Sequence, residues 1–370
     1  MCGSRYGVRG LLYALYAMPA NLSPEYKNAE QAFRTAREPR ERLDCLKEML
    51  RTIPKHKGTE RIQADIKSRI KQFSDELIAP RKGPVQVGSS HSVHREGTAQ
   101  VGLIGPPNSG KSSLHATLTG SRAEIGSFPY TTRAPLPGML PFEDIAFQLV
   151  DLPPMSSART EPWMAGVLQT VDAAWLVVDL ADPGCAEHLL AIRTELAQRK
   201  ITLTDRWPGL SADPDSAPAS QAEQDEARSA EEVPDPFRVQ LPALLVANKN
   251  DLDPDPNEVR VLEELTDVRY PAIATSTVTG DGLDELARFL FQALGIVRVY
   301  TKPPGRPAER VLPFTVRRGE TVLDVARLVH QDVARTLKFA RLWGSGAFDG
   351  QRVGPEHRVA DRDIVELHAR

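Results

Sequence analysis

The chain has 370 residues, enough for two or three domains with a sizeable core. Hydrophobic residues make up 41% and charged residues 26%, the balance of an ordinary globular protein. The net charge of −3 hides a split: residues 24–82 and 298–370 each carry +5, and residues 83–297 carry −15. A uniformly nucleic-acid-coating protein is therefore excluded, whereas contact with an anion through the basic ends is not.

Residues 1–23 read as an N-terminal extension. Arg5 and Arg9 precede the apolar run Leu11–Ala17, a faint likeness to a short signal peptide. The favoured reading is a misassigned start with Met18 as the true first residue, because the rest reads as cytoplasmic. Three cysteines, Cys2, Cys45 and Cys185, form no CxxC pair, which suits a reducing compartment. No apolar run approaches the length of a membrane span.

Residues 24–82 predict a helical hairpin. Phe33, Leu43, Leu46, Met49, Leu50 and Ile53 recur at helical spacing, then Pro54 and Gly58 break the pattern. Ile62, Ile66, Ile70, Phe73 and Leu77 make one stripe on the second helix. The hairpin is either a packing element or an arm that touches RNA or a partner. Residues 83–98 read as a linker, and His91 and His94 within it make a poor metal site.

From residue 99 to 296, short apolar runs alternate with helical stretches, which predicts an α/β doubly wound sheet. The predicted strands are 101–104, 145–150, 174–178 and 243–247. The stretch about 205–238 interrupts them. Its centre, 211–236, holds eight acids, one base and four prolines, and predicts a disordered acidic insertion.

The strongest motif is Gly105-Pro106-Pro107-Asn108-Ser109-Gly110-Lys111-Ser112, a match to G-x-x-x-x-G-K-[ST] between a predicted strand and a helix starting at Ser113. Loop N–H groups and the helix N-terminus suit phosphate oxygens, Lys111 suits the β- and γ-phosphates, and Ser112 suits Mg²⁺. Asn248-Lys249-Asn250-Asp251 directly follows a strand. A carboxylate there accepts from the N1–H and exocyclic amine of guanine, a donor pair that adenine lacks. The order of phosphate loop, Asp151 at a strand end, then NKND is the signature of a GTPase. Ser276 and Thr277 stand where a last guanine-contacting loop belongs.

With Phe128-Pro-Tyr-Thr-Thr-Arg133, Pro137-Gly138 and Asp151-Leu152-Pro153 added, the chain resembles the Obg-related GTPases. Within them it is most similar to the developmentally regulated GTP-binding proteins and their bacterial relatives. The resemblance implies a switch threonine in the Mg²⁺ shell, Thr132 with Thr131 next, and Asp151 holding Mg²⁺ through water. It implies that Asn108 helps hold a K⁺ ion near the phosphates, supplying the charge of an arginine finger. Lys111, Asn108 and Thr132 are thus the expected catalytic groups. Met155 stands where relatives carry a hydrophobic residue in place of a water-orienting glutamine; loop packing is its other reading.

One departure matters. The family reads D-x-P-G, and here Pro154 replaces the glycine. Proline has no N–H to offer the γ-phosphate. The expectation is weak GTP/GDP discrimination and slow or partner-dependent hydrolysis, or a nucleotide that is only a structural ligand.

Residues 297–370 predict strands at 297–303 and 312–316 and a turn and helix at 319–330, with the segments 339–343 and 361–367 following. The set resembles a TGS domain, a ubiquitin-like β-grasp module. That resemblance implies binding to the ribosome, rRNA or a translation factor, with no DNA or membrane partner. Arg317, Arg318, Lys338 and Arg341 are the candidate phosphate contacts, and His330 reads as a helix-end residue.

Overall fold

The computed structural model describes residues 23–36, 39–54, 59–78, 93–121, 134–155, 160–210, 237–252, 257–267, 269–305, 312–346 and 348–369. Residues 1–22 of the N-terminal extension, Thr131, Thr132 and the acidic stretch 211–236 lie outside them. The chain divides into two compact units, one from residues 1–86 with 219–237, the other from 87–218 with 238–370.

In the first unit the expected hairpin is three helices: α1 Pro24–Thr35, α2 Pro39–Thr52 and α3 Glu60–Ile78. The break is chemical. Ala36 caps α1 in an extended conformation, and Pro39 cannot continue a helix because it lacks an N–H. Tyr26, Leu46, Met49, Ile53, Ile62 and Ile66 form the core. Phe237 completes it, edge-on to Phe33 at 6.2 Å with Arg69 4.2 Å over its ring.

The second unit holds two sheets. The first orders its strands β2-β3-β1-β4-β6-β5, with β7 paired to β6. These are β1 Gln100–Ile104, β2 Leu136–Phe142, β3 Ile145–Asp151, β4 Ala173–Asp179, β5 Ile201–Thr204, β6 Val239–Asn248 and β7 Ala272–Ala274. All pairs are parallel except β2 with β3. The central strands β1, β3, β4 and β6 are apolar and buried on both faces, as a helix-covered parallel sheet requires. β2 carries Pro137, Gly138 and Pro141, which hid it from sequence; it sits on the sheet edge, where a missing donor is tolerated. Residues 93–98, read as linker, are docked here. Val93 packs on the core, Gln148 Nε2 donates to the His94 carbonyl at 3.0 Å, and Arg95 pairs with Asp172.

The second sheet orders its strands β11-β10-β12-β8-β9. They are β8 Ile296–Thr301, β9 Phe314–Arg317, β10 Leu337–Trp343, β11 Gln351–Val353 and β12 Asp363–Ala369. A helix Val322–Val329 covers one face, opened by a Thr321/Asp324 capping box. His330 caps the next short helix by accepting from the Asp332 N–H at 3.1 Å. This is a β-grasp module following a P-loop α/β domain. Among the described residues no helix is long and apolar enough to cross a membrane.

Candidate functional site

Parallel strands place their carboxyl ends on one edge, and the candidate residues collect there. β1 ends at Ile104 and passes through the loop 105–110 into α4, Lys111–Thr119. β3 ends at Asp151, beside Leu103 of β1. β4 and β6 end side by side at Asp179 and Asn248.

The loop demands its glycines. Gly110 has φ +87°, and a Cβ there would lie 2.1 Å from Asn248 Nδ2. Gly105 has φ +155°, and its Cβ would meet the Val177 carbonyl at 2.2 Å. Asn108, exposed, also takes a left-handed φ of 61°. Ser109 Oγ donates to the Pro106 carbonyl at 3.1 Å. α4 starts immediately after Gly110, so the N–H groups of its first turn, Lys111 to Ser113, open toward the loop.

Lys111 is buried, and its ammonium donates to the Pro106 carbonyl at 2.6 Å and to Ser109 Oγ at 3.4 Å. Burial pushes its pKa down to about 8, against the upward pull of Asp151. Ser112 Oγ donates to Asp151 Oδ2 at 2.6 Å. Two hard oxygen donors side by side fit Mg²⁺. Among the described residues no cluster of three or more His, Cys, Asp or Glu offers an all-protein metal cage.

At the other end, Asn248 Nδ2 donates to the Ser109 carbonyl at 3.1 Å, and its Oδ1 accepts from Thr275 Oγ1 at 3.3 Å. The NKND strand end is thereby tied to the phosphate loop. Lys249, at φ 64°, pairs with Asp179 at 2.7 Å. Ser276 Oγ donates to Asp251 Oδ1 at 2.5 Å and accepts from the N–H groups of Val278 and Thr279 at 3.1 Å. Thr277 is half-buried beside it. The structure thus brings together all the described candidates, Gly105, Pro106, Asn108, Ser109, Gly110, Lys111, Ser112, Ser113, Asp151, Asn248, Lys249, Asp251, Ser276 and Thr277. Sequence reasoning missed Asp179 and Thr275. Asp179 ends an apolar strand just as Asp151 does, and that was the available signal.

Met155 is buried in the apolar core, which favours its packing reading. Its N–H donates to the Gly105 carbonyl at 3.1 Å. The first donor after Pro154 is therefore turned to the phosphate loop's own backbone.

Two expected phosphate contacts face elsewhere. Arg317 pairs with Asp172 at 3.2 Å and donates to the Leu294 carbonyl, and Arg318 donates to the Gly209 carbonyl at 3.2 Å. Both join the β-grasp module to the P-loop domain, because β8 continues directly from the last helix of that domain. Lys338 and Arg341 are exposed.

Comparison with known proteins agrees with this geometry. Residues 100–208 match the 50S ribosome-binding GTPase family, and residues 297–369 match the TGS domain family. An uncharacterized GTP-binding protein of Methanocaldococcus jannaschii is 27% identical, over 88% of this chain and 92% of its own. The Dictyostelium discoideum developmentally-regulated GTP-binding protein 1 homolog is 28% identical over 86% of this chain and 96% of its own. Mouse developmentally-regulated GTP-binding protein 2 is 26% identical over 87% and 96%. Paired GTPase and TGS modules, with relatives aligned along nearly the whole length, make this chain similar to the developmentally regulated GTP-binding proteins.

Proposed function

We propose that the chain is a slow, K⁺-assisted GTPase that docks on the ribosome or a translation factor through its TGS module and helical arm. One observation carries the nucleotide half. Lys111, Ser112 and Asp151 converge at one end of the strand edge, and Asn248 ties Asp251 and Ser276 to the same loop at the other. Asp251, aimed by Ser276, would read guanine. Lys111 and the N–H groups opening α4 would hold the charge that develops on the phosphates. Mg²⁺, held by Ser112, Thr132 and, through water, Asp151, would neutralise the β- and γ-oxygens. Asn108 would help to hold K⁺.

A second reading is favoured by Pro154 and by the Met155 N–H bonded to Gly105. In it the switch is uncoupled and the nucleotide is a structural ligand. Phosphate release, measured with and without ribosomes in K⁺ and in Na⁺, separates the two. The first reading expects ribosome-stimulated turnover that is faster in K⁺. Tight GTP binding with no turnover under any condition supports the second. Under the second reading Pro154→Gly, which restores an N–H, raises the GTP-over-GDP preference.

A further inference from the structure

The chain between α4 and β2 carries Thr132, an expected Mg²⁺ ligand, and the residues that flank it on both sides meet one buried side chain. His115 is fully buried on α4. It stands three residues after Ser112, so the two share a helix face. Ser112 meets Asp151 of β3 on that face, and His115 meets β2.

Where the chain leaves α4, Ser121 Oγ and His115 Nδ1 share a hydrogen bond at 3.0 Å. Thr119 supports this corner. Its Oγ1 donates to the His115 carbonyl at 2.7 Å and accepts from the Ser121 N–H at 3.3 Å. Where the chain returns, Gly138 of β2 lies against the far side of the ring. A Cβ on Gly138 would stand 2.8 Å from His115 Nε2 and 2.7 Å from Thr119 Oγ1. Any side chain there would force the imidazole or β2 to move. This gives Pro137-Gly138, a part of the sequence resemblance that the nucleotide site leaves unused, a physical reason. Gly138 pairs with Leu149 of β3, two residues before Asp151.

An imidazole is a costly choice if packing is its whole purpose. Among the described residues its Nε2 has no hydrogen-bond partner, although it is buried. A buried polar atom left unpaired destabilises, and a leucine would carry no such atom. Burial also pushes the His115 pKa below the ordinary value, against the pull of the Asp151 charge, so the ring is uncharged near neutral pH. What the imidazole supplies and leucine cannot is the bond to Ser121.

We propose that His115 is a positioning residue for the Mg²⁺ site: by bonding Ser121 on one side and seating Gly138 on the other, it fixes the two anchors between which Thr132 is held. The inference rests on the GTPase reading above and assigns the fixing of its switch threonine to one side chain. Switch contacts of this kind form with a triphosphate and Mg²⁺ and are released in the diphosphate state. The anchors should therefore matter for GTP and not for GDP.

The test is calorimetric titration of the full chain with a non-hydrolysable GTP analogue and with GDP, each in Mg²⁺ and in EDTA. His115→Leu stays apolar and buried but loses the Ser121 bond. It should weaken analogue binding in Mg²⁺ about tenfold, the worth of one hydrogen bond, and leave GDP binding and binding in EDTA within about twofold. His115→Asn, whose amide stands near the place of Nδ1 and can bond Ser121, should recover most of the loss. Ser121→Ala removes the same bond from a half-buried position, so it should reproduce the weakening even if His115→Leu fails to fold. Wild-type analogue affinity in folded His115→Leu overturns the proposal. So does equal weakening of analogue and GDP, or of binding in EDTA, which marks a packing role and leaves the GTPase reading standing. Wild-type values in Ser121→Ala remove the bond from the argument and overturn it too. A wild-type chain whose analogue affinity is the same in Mg²⁺ and in EDTA defeats the Mg²⁺ reading itself, and the proposal with it.

Discussion

Lys111 shows how a single residue holds stability and function in opposition. Its ammonium is buried, and the neutral carbonyl of Pro106 is its nearest acceptor at 2.6 Å. A buried lysine with a pKa near 8 is protonated at neutral pH at a cost. The drop from an ordinary 10.5 is worth roughly 3 kcal/mol. The sign follows from proton counts. Between about pH 8 and 10.5 the unfolded chain binds the proton and the folded chain has released it, so this residue's contribution to stability rises with pH there. Lys111→Met should therefore raise the Tm of the nucleotide-free chain near pH 7 and flatten the rise above pH 8. The same substitution should weaken GTP binding at least a hundredfold, since the ammonium's phosphate partner is lost. Thermal melts across pH, paired with calorimetric GTP titration, check both halves. A variant that loses Tm at pH 7 would contradict the assigned cost of burial. The motif alone identified Lys111 as a phosphate ligand; its burial under the Pro106 carbonyl depends on how the loop folds, which no residue spacing encodes.

At the scale of elements, what was legible followed one rule. β1, β3, β4 and β6 were readable because strands buried on both faces become unbroken apolar runs. β2 was not, because an edge strand can carry two prolines and still pair through its remaining groups. The break between α1 and α2 was missed because the apolar stripe continues across it, although Pro39 marks the boundary. The site was legible for the same reason as the strands: motif residues sit at strand ends. The joint between modules was not, since it pairs residues far apart in sequence. Arg298, on β8, is its centre. The side chain is buried and donates to both Asp361 oxygens at 3.0 and 2.7 Å and to Asp144 at 2.9 Å; it also meets Glu143 and covers the Phe291 ring at 4.8 Å. Burial tends to raise the Asp361 pKa, but the bonds from Arg298 hold it below the ordinary value. Arg298→Ala strands these partly exposed carboxylates and should cost about 2–4 kcal/mol, toward the lower end of what breaking a buried pair costs. The loss should appear as a lower denaturation midpoint. Because Asp361 and Asp144 have depressed values, the wild-type advantage should persist at neutral pH and fade as pH falls through the acid range. An unchanged midpoint at pH 7 would remove Arg298 from the joint.

For the whole molecule, the structure redistributes the charge that the sequence only tallied. The +5 of residues 298–370 is not all outward: Arg298, Arg317 and Arg318 are spent on the joint, leaving Arg341 and Arg352 to face outward on the sheet. The −15 of the middle belongs partly to the acidic stretch, and that stretch leads to Phe237. Phe237 is 4% exposed and belongs to the helical unit, while Arg238 belongs to the other. The chain therefore contributes a residue from deep in its sequence to a core otherwise made near its beginning. Removing a buried phenylalanine costs about 3–5 kcal/mol when the site cannot collapse. Here Phe33 packs edge-on to the ring and Arg69 lies over it, so both lose their contact together. Phe237→Ala should speed amide exchange across α1, α2 and α3 by two orders of magnitude or more, while amides of β1 and β4 keep their protection. Equal acceleration in β1 and β4 would mean that the two units unfold as one.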